Sequence, residues 1–373
     1  MKFVRSAPFL IVFTALVILV VILGANQNLM YAVITSAEED QFKYMENIVN
    51  FNLKSAASKA LARAEMLVGY PSTAKLVKAK NREKLIEGYL PLFKVQQAKY
   101  GVDQAQFVLP PAVSLLRLQD VEKFGDDLSS FRPILVFANN QKKIVSGVAV
   151  SRSGPAIFGV VPITESSGEH LGVLEVGLSF GGVLDGLKSA YGFDLTLFME
   201  EEKLKATATS LTSKVFNPDN EVGKFISFHS TNWQLMKPLT APEQLESKES
   251  LSFRQTQDGK VYGLVVIPLF NFANNHVGCI VTCKDLSNTR SKTGQLWITQ
   301  ITLGIFALVF LIGVVIITIK GLLLRPLSDI SAKFAALEAG DSSQPIESEH
   351  LCAELAEAAD SYEKLRQKLA TKV

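Results

Sequence analysis

Three arginines in the middle of the chain carry the side chains best suited to recognition chemistry. Arg117, Arg132 and Arg152 fall near predicted strand starts or turns. A guanidinium group presents a planar fork of N–H donors that binds a carboxylate or phosphate through two hydrogen bonds at once. Three such groups within one predicted module indicate a binding site for a small organic anion.

A structural alternative exists for the same arginines. Asp126, Asp127 and Glu175 lie in the same region of the sequence. Opposite charges clustered in a small domain commonly pair to tie loops down rather than to bind a ligand. Glu175 also qualifies as a ligand contact beside the arginines, so both interpretations stay open.

Aromatic side chains in this region could line a pocket around the arginines. A small-molecule site is concave and mostly apolar, with a few polar groups that fix the ligand. Phe158, Phe137 and Phe180 could form such a surface, although each also suits an ordinary hydrophobic core. The predicted ligand-binding residues are Arg117, Arg132, Arg152, Phe158 and Glu175.

The remaining polar residues show no pattern typical of catalysis or cofactor binding. His170, His229 and His276 lack a second ligand at metal spacing, and no nucleophile pairs recognisably with a base. The phosphate-binding motifs G-x-x-x-x-G-K and G-x-G-x-x-G are missing. The net charge of +2 comes without a basic block interleaved with aromatics, which argues against nucleic acid as a partner. We therefore expect no enzyme, no metal and no cofactor.

Two apolar stretches indicate membrane spans that enclose the region with the arginines. Ala7 to Ala25 and Leu296 to Ile319 contain no charged residue, and the chain is 48% hydrophobic. A helix needs about 20 apolar residues to cross a bilayer, and both stretches approach or exceed that length. The chain is therefore predicted to cross the membrane twice.

Positive charge next to the two spans predicts the orientation of the chain. Lys2 and Arg5 precede the first span, and Lys320 and Arg325 follow the second. An excess of Lys and Arg marks the cytoplasmic side, so both ends are expected there and residues 26–295 outside.

The first span could instead be a cleaved signal peptide. Its apolar run exceeds the roughly 7–15 residues of a typical signal-peptide core, and no cleavage site of the A-x-A type follows. An uncleaved anchor is the favoured interpretation.

The segment after the first span is predicted to be one long helix. Apolar or small residues recur in alternating steps of three and four. They are Phe42, Met45, Val49, Leu53, Ala56, Ala60, Ala64 and Leu67. Such a stripe packs against a domain core or forms a dimer seam, and one helix can serve both purposes. Tyr70-Pro71-Ser72 ends the helix, and residues 81–100 resume a helical pattern.

Short β-branched runs separated by turn residues then predict two antiparallel sheets. The first series comprises 134–137, 143–146, 157–163 and 172–178, with turns at Asn139-Asn140 and Ser166-Ser167-Gly168. The second series comprises 193–198, 225–228, 251–254, 261–269 and 276–283. The fold class is therefore α+β, with two similar modules in tandem.

Beyond the second span the pattern is helical again, with a break at 340–345. The two stripes are Leu327, Ile330, Phe334 and Leu337, then Leu351, Leu355, Ala358, Tyr362, Leu365 and Leu369. Both have heptad spacing, and neither helix alone can bury its stripe. A parallel homodimer that packs four helices together is the predicted solution.

This tail resembles a HAMP domain, the helix-break-helix signal relay of bacterial receptors. Pro326 after the membrane, Gly340-Asp341 at the end of the first helix and Ile346 in the connector match that pattern. Ser342 stands where the family usually has a packing aliphatic residue. The resemblance implies that Pro326, Gly340 and Ile346 take part in signal relay.

Two segments of the outer region carry a second resemblance. They read LLRLQDVEKFGDDLSSFRPILVFANNQKK and FGVVPITESSGEHLGVLEVGLSF, within 107–180. The positions that match are Arg117, Lys123 to Leu128, Arg132, Arg152, Pro162, Gly172 and Glu175. The region thus resembles the double-Cache sensor domain of the third type, found in many bacterial chemoreceptors and sensor kinases. The resemblance implies two tandem PAS-like modules.

The chain departs from this family's usual motifs at a few positions. The motifs His-Leu-Pro-Pro, Gly-x-Glu-x-Gly-Arg and Ile-Arg-Gly are altered at Val108, Ala149, Ser151 and Phe158. Four polar or glycine positions are thereby lost, which bears on the ligand that the family usually takes.

The predicted organisation follows from these elements. It comprises a cytoplasmic N-terminus (1–6), a first span (7–25), an outer sensor (26–295), a second span (296–320) and a HAMP-like relay (321–373). The sensor consists of a helical part (26–100), a distal module (101–190) and a proximal module (191–290).

The sequence predicts a transmembrane sensory receptor of the bacterial inner membrane that binds a small molecule outside the cell or in the periplasm. Because the sequence stops at Val373, just after the relay, we expect the output from a cytoplasmic partner or a further output domain. The alternative is a membrane adaptor whose outer domain docks a protein instead of a small molecule. The four altered positions are consistent with that alternative.

Overall fold

The computed structural model describes residues 3–347, 351 and 353–370. Residues 36–288 form one compact unit, and residues 1–35 with 289–373 form another. The predicted cytoplasmic charge at Lys2 lies outside the described residues, as do small parts of the predicted relay at 348–350, 352 and 371–373.

The helical part begins with the predicted long helix, α1 (Phe3–Val68). It ends just before Tyr70-Pro71-Ser72, and α2 (Thr73–Lys78) and α3 (Arg82–Tyr100) follow. The side chain of Asn81 caps α3 by accepting a hydrogen bond from the backbone N–H of Lys84 at 3.1 Å. The helix predicted over 81–100 is thus confirmed, with Asn81 as its N-cap and Arg82 as its first residue.

A five-stranded antiparallel sheet, the distal sheet, follows in the order β2-β1-β5-β4-β3. Its strands are β1 (Val102–Leu109), β2 (Val113–Arg117), β3 (Val145–Ser151), β4 (Gly154–Thr164) and β5 (His170–Ser179). The predicted Ser166-Ser167-Gly168 turn joins β4 to β5. Strands β1 and β2 are missing from the prediction because Asp103, Gln104 and Gln106 interrupt the apolar run of β1 with polar residues.

One predicted strand of this module is wrong. Residues 134–137 belong to a helix, α4 (Pro133–Gln141), and Asn139-Asn140 lie inside it rather than in a turn. Pro133 occupies the first turn, where its missing N–H costs no hydrogen bond. A four-residue apolar run cannot by itself distinguish a buried strand from a buried helix. Ile134, Leu135 and Ala138 are buried on one side of α4, which is a helical spacing.

The second sheet, the proximal sheet, has the antiparallel order β7-β8-β6-β11-β10-β9. Its strands are β6 (Asp194–Glu200), β7 (Glu221–Val222), β8 (Phe225–Ser230), β9 (Leu251–Gln257), β10 (Lys260–Phe270) and β11 (His276–Asp285). Four short helices accompany it: α5 (Phe180–Tyr191), α6 (Glu201–Thr207), α7 (Trp233–Leu239) and α8 (Pro242–Leu245). All five predicted strands of the second series are confirmed.

The predicted stripe of α1 packs against both sheets. Its buried members are Phe42, Met45, Val49, Ala56, Ala60 and Ala64, and they share one core with residues of the distal and proximal sheets. The approach is close at Gly159 on β4, where a Cβ would lie 2.4 Å from the backbone nitrogen of Leu61. A residue without a side chain is therefore required where α1 crosses β4.

The other unit contains the predicted spans and the relay. The described residues include two helices long and apolar enough to cross a membrane, within Phe13–Val68 and Trp297–Glu338. The second begins as α9 (Ser287–Thr318), passes through a π-helical segment (Ile319–Leu324) and continues as α10 (Arg325–Glu338). The last helix is α11 (Ala353–Ala370).

The relay residues lie at the ends of these helices and between them. Pro326 occupies the first turn of α10, and Gly340 follows that helix with a left-handed φ of +96°. Ile346 packs with the buried residues of α10 and α11, which are Ile330, Leu337, Leu355, Ala359 and Tyr362. Leu327, Phe334, Leu365 and Leu369 remain exposed on the single chain, and the homodimer that would cover them stays a prediction.

We predict that Gly159→Ala destabilises the fold, because the new methyl group meets backbone atoms of α1 that cannot rotate away. Overpacking of this kind costs about 1–3 kcal/mol, so thermal unfolding of the full chain in detergent should begin several degrees lower. Gly147→Ala on the adjoining strand is the matched control, since nothing lies within 4 Å of its added Cβ. Equal midpoints for the two variants would contradict the close approach of α1 to β4.

Candidate functional site

The candidate site lies on one face of the distal sheet, where polar side chains occupy neighbouring strands. Gln106 on β1 pairs with Glu175 on β5, and Gln104 pairs with Gly177. Gly177 also pairs with Phe158 on β4. Directly paired residues point to the same side of a sheet, so these side chains form one patch. This patch and the apolar residues beneath α4 together make up the face.

Glu175 is the most deeply placed charge of the patch, and Arg132 neutralises it. Both side chains are only 2% exposed. Nη2 of Arg132 donates to Oε1 of Glu175. Nε2 of Gln106 donates to Oε2 of the same carboxylate at 2.6 Å. Burial raises the pKa of the Glu175 carboxyl, while the charge of Arg132 and the hydrogen bond from Gln106 oppose that rise.

Phe158 supports the guanidinium group of Arg132 from the sheet side. The centre of that group lies 4.5 Å from the centroid of the fully buried Phe158 ring, a cation–π geometry. The ring has room because residue 177 is glycine, where a Cβ would come within 2.6 Å of it. Phe158 thus positions Arg132 rather than forming the surface of a pocket.

Asp126 lies between the other two predicted arginines. Its carboxylate is 2.8 Å from Nη1 of Arg117 and 3.0 Å from Nη2 of Arg152. Partial burial by itself would raise the pKa of Asp126, but the hydrogen bond from Arg117 and the charges of Arg117 and Arg152 bring it below its ordinary value. Asp127 takes no part, because its carboxylate accepts from the backbone N–H of Ser129. Asp126 therefore ties the loop after β2 to the turn between β3 and β4.

That loop, residues 118–132, is attached along the edge of the sheet. Nη1 of Arg117 donates to the carbonyl of Lys123 at 3.0 Å, and the backbone N–H of Gly125 donates to the carbonyl of Ser114 at 2.8 Å. From the other side, Arg82 of α3 donates to the carbonyl of Val121 at 2.6 Å. The loop is thus fixed along its length and brings Asp126 and Arg132 over the polar patch.

A cavity of about 490 Å³, the distal cavity, opens beside these groups. All three predicted arginines line it, whereas Phe158 and Glu175 lie behind Arg132. The other lining residues are Gln104, Gln106, Gln119, Asp120, Glu122, Lys123, Phe124, Asp126, Leu128, Phe131, Ser151, Ser153, Thr209 and Ser210. The volume falls within the range of small-molecule sites.

Sequence reasoning missed most of the uncharged lining. Gln104 and Gln106 are two residues apart, the spacing of one strand face, and recognition of β1 would have exposed that signal. Ser151, one of the positions that depart from the family motif, donates from its hydroxyl to Oε1 of Gln104. Ser210 comes from the proximal module, and its backbone N–H donates to the carbonyl of Arg152 at 2.9 Å. No local pattern predicts that contact.

The lining combines both signs of charge. Its four cations are Arg117, Lys123, Arg132 and Arg152, and its three carboxylates are Asp120, Glu122 and Asp126. Among the described residues, the Nε atoms of Arg132 and Arg152 are buried and have no hydrogen-bond partner. The arrangement offers guanidinium cations and nearby carboxylates, a combination suited to a polar ligand with a carboxylate and a donor group.

The same part of the chain offers little to a metal ion. Within the described residues, no group of three or more His, Cys, Asp or Glu side chains is placed to hold one. Cys279 and Cys283 on β11 are both buried as free thiols, and burial raises the pKa of both.

Comparison with solved structures finds sensor domains at low identity. The ligand-binding domain of the Campylobacter jejuni chemoreceptor Tlp3, in complex with L-valine, shares 13% identity at a TM-score of 0.40, covering 70% of this chain and 95% of that one. The periplasmic domain of Vibrio cholerae LuxQ shares 10% at 0.39, covering 65% and 99%. The sensor domain of the V. cholerae histidine kinase DctB shares 11% at 0.39, covering 69% and 98%. At such scores these similarities support no inference about ligands.

No curated protein matches the sequence. A family model does match, over residues 36–289 and so over more than half of the chain. Its description is a double sensory domain of two-component sensor kinases. The chain therefore belongs to the dCache_3 family of sensory domains.

Proposed function

We propose that this chain is a transmembrane receptor of the bacterial inner membrane whose distal cavity binds a small molecule carrying a carboxylate. One observation supports the proposal above others: three arginines far apart in the sequence line a single cavity of about 490 Å³. Membership of a sensory family supports a role of this cavity in ligand recognition. The proposed receptor catalyses no reaction itself.

Arg152 is the proposed first contact of the ligand. Its side chain is 41% exposed, far more than that of Arg117 at 9% or Arg132 at 2%. A ligand carboxylate that binds Arg152 competes with Asp126, and Arg132 lines the same cavity. The amide of Gln106 would then accept from or donate to the polar groups of the ligand, and the carboxylate of Asp126 would accept from a donor group of the ligand.

Competition for Arg152 gives the ligand a way to change the structure. Asp126 connects the 118–132 loop to the β3–β4 turn, and α4 begins at the end of that loop. A ligand shifts an equilibrium only by its difference in affinity for two arrangements. In the proposed second arrangement of the loop, Asp126 is released from Arg152. This change would pass through the second span to the HAMP-like relay of a homodimer and then to a cytoplasmic partner.

The adaptor hypothesis keeps one observation in its favour. Each of the three predicted arginines is already within ion-pair distance of a carboxylate of the chain, Asp126 or Glu175. If these pairs only hold the module together, the outer domain signals by docking a protein. A direct binding experiment separates the two functions.

We predict that at least one carboxylate-bearing metabolite raises the unfolding midpoint of the full chain in detergent, because ligand that binds only the folded state stabilises it. At a concentration of about 100 times the dissociation constant the gain is about 2.7 kcal/mol, or several degrees. Arg152→Ala should abolish the shift and leave the unliganded midpoint nearly unchanged, since Asp126 keeps its partner Arg117.

Lys143→Ala is the control for that experiment, because it removes an exposed cation from the same module without touching the cavity. It should retain the shift. A broad screen with no shift would favour the adaptor, whereas a shift that survives Arg152→Ala would show that the ligand binds elsewhere than at the proposed site.

We further predict that Glu175→Gln destabilises the chain by about 3–5 kcal/mol, because it leaves the charge of Arg132 buried without a counterion. The double variant Arg132→Met, Glu175→Gln removes both charges and should recover a large part of the loss. Denaturant unfolding of both variants measures the difference. If Glu175→Gln proves no less stable than the double variant, Arg132 and Glu175 have no favourable coupling energy.

A further inference from the structure

A second and larger cavity, the inter-module cavity, lies between the two sheets of the sensor and measures about 800 Å³. On the distal side its wall is apolar and consists of Phe131, Pro133, Ile134, Ala149 and Val150. The proximal side contributes charged residues from α6, from the β7–β8 turn and from the segment after α8. The cavity thus has one apolar wall and one charged wall.

The loop between β10 and β11 closes this cavity and touches both modules. Asn271 forms an isolated bridge with Val148 of β3. Phe272 packs into the core beneath α4, with its ring centroid 4.9 Å from that of Phe137. The loop is tight, since Oδ1 of Asn271 accepts from the backbone N–H groups of Ala273 and Asn275 at 3.0 and 2.9 Å. A molecule in the cavity would therefore contact the element that joins the modules.

The charged wall carries an excess of cations. Lys203 pairs with Glu200 at 2.6 Å and Lys224 with Glu246 at 2.8 Å. Among the described residues, no carboxylate lies within ion-pair distance of Lys248. The lysine side chains of both pairs are about half exposed, and such pairs exchange partners at little cost.

His276 lines the cavity beside Lys203, whose Nζ donates to the backbone carbonyl of His276 at 3.3 Å. Its Nε2 is buried and has no hydrogen-bond partner among the described residues. Burial lowers the pKa of His276, and so do the charges of Lys203, Lys248 and Lys224, while Glu200 opposes them. Lys203, Lys224 and Lys248 line the cavity together with His276, so this wall favours an anion.

We propose that the inter-module cavity binds a small amphiphilic anion, whose phosphate or carboxylate group contacts Lys203 and Lys248. Its apolar body lies against Phe131, Pro133 and Val150. Opposite charge in a partly desolvated cavity gives the binding energy and the apolar wall gives selectivity.

Such a ligand would stabilise one arrangement of the two modules. Its apolar part contacts the distal module and its anionic part the proximal module, so separation of the modules would break one set of contacts. The ligand therefore favours the arrangement in which both walls face each other. The site is separate from the distal cavity and does not depend on the ligand proposed there.

The test uses the full chain in detergent, with phenyl phosphate and 3-phenylpropionate as probes and potassium chloride at matched ionic strength as the salt control. Binding is measured by calorimetry. We expect at least one probe to bind more tightly than inorganic phosphate, since inorganic phosphate lacks the apolar body. The stronger probe identifies whether the group recognised is phosphate or carboxylate.

Lys248→Ala and Lys203→Ala should each weaken that probe about tenfold, the loss expected for one charged hydrogen bond. Both lysines are exposed, so neither variant endangers the fold. Lys260→Ala removes an exposed lysine elsewhere on the proximal sheet and should leave the affinity unchanged. Arg152→Ala should also leave it unchanged, which distinguishes this site from the distal cavity. No binding by either probe, equal affinity in the Lys248 and Lys260 variants, or loss of binding in Arg152→Ala would overturn the proposal.

Discussion

A carboxylate buried on a central strand is the constraint around which the distal module is arranged. Glu175 lies on β5, between β1 and β4, where both faces of the sheet are covered. A charge in such a position needs a counterion and hydrogen bonds, since its desolvation would otherwise cost several kcal/mol. Gln106 supplies one hydrogen bond from the neighbouring strand. The counterion, Arg132, comes from outside the sheet, at the end of a loop.

This requirement explains the path of the chain between β2 and β3. The 118–132 loop must return over the sheet to deliver Arg132, and α4 begins directly after it, with Pro133 in its first turn. Because the loop is bound along the β2 edge and to Arg82, its remaining side chains overlie the polar patch. The distal cavity is thus the space between the polar patch of the sheet and the 118–132 loop that covers it. With apolar residues at the strand positions of the polar patch, no polar cavity would form beneath the loop.

The sequence predicted the elements that depend on local patterns and missed the contacts that depend on strand pairing. The stripe of α1, the helix over 81–100, the strands of the proximal sheet and the α+β class follow from local patterns, and the structure confirms them. The error at 134–137 arose because four apolar residues fit a strand and a helix equally well. Arg117, Arg132 and Arg152 could be proposed from residue type, but their common cavity depends on long-range register. Gln104, Ser151 and Ser210 come together only through strand pairing and the contact of two modules, for which no local signal exists.

The two proposed sites have one structural element in common. Phe131 lines both cavities, and its neighbours divide between them, since Arg132 lines the distal cavity and Pro133 lines the inter-module cavity. The ring of Phe131 also lies 5.5 Å from the guanidinium group of Arg152. The start of α4 is therefore a partition, and a shift that suits a ligand on one side changes the wall on the other. If the two ligands are coupled through this partition, the coupling is reciprocal by thermodynamic necessity, and each alters the affinity of the other by the same factor. Because the ion pair of Arg132 with Glu175 holds the start of α4 on the sheet, such a coupling would act through the position of Phe131.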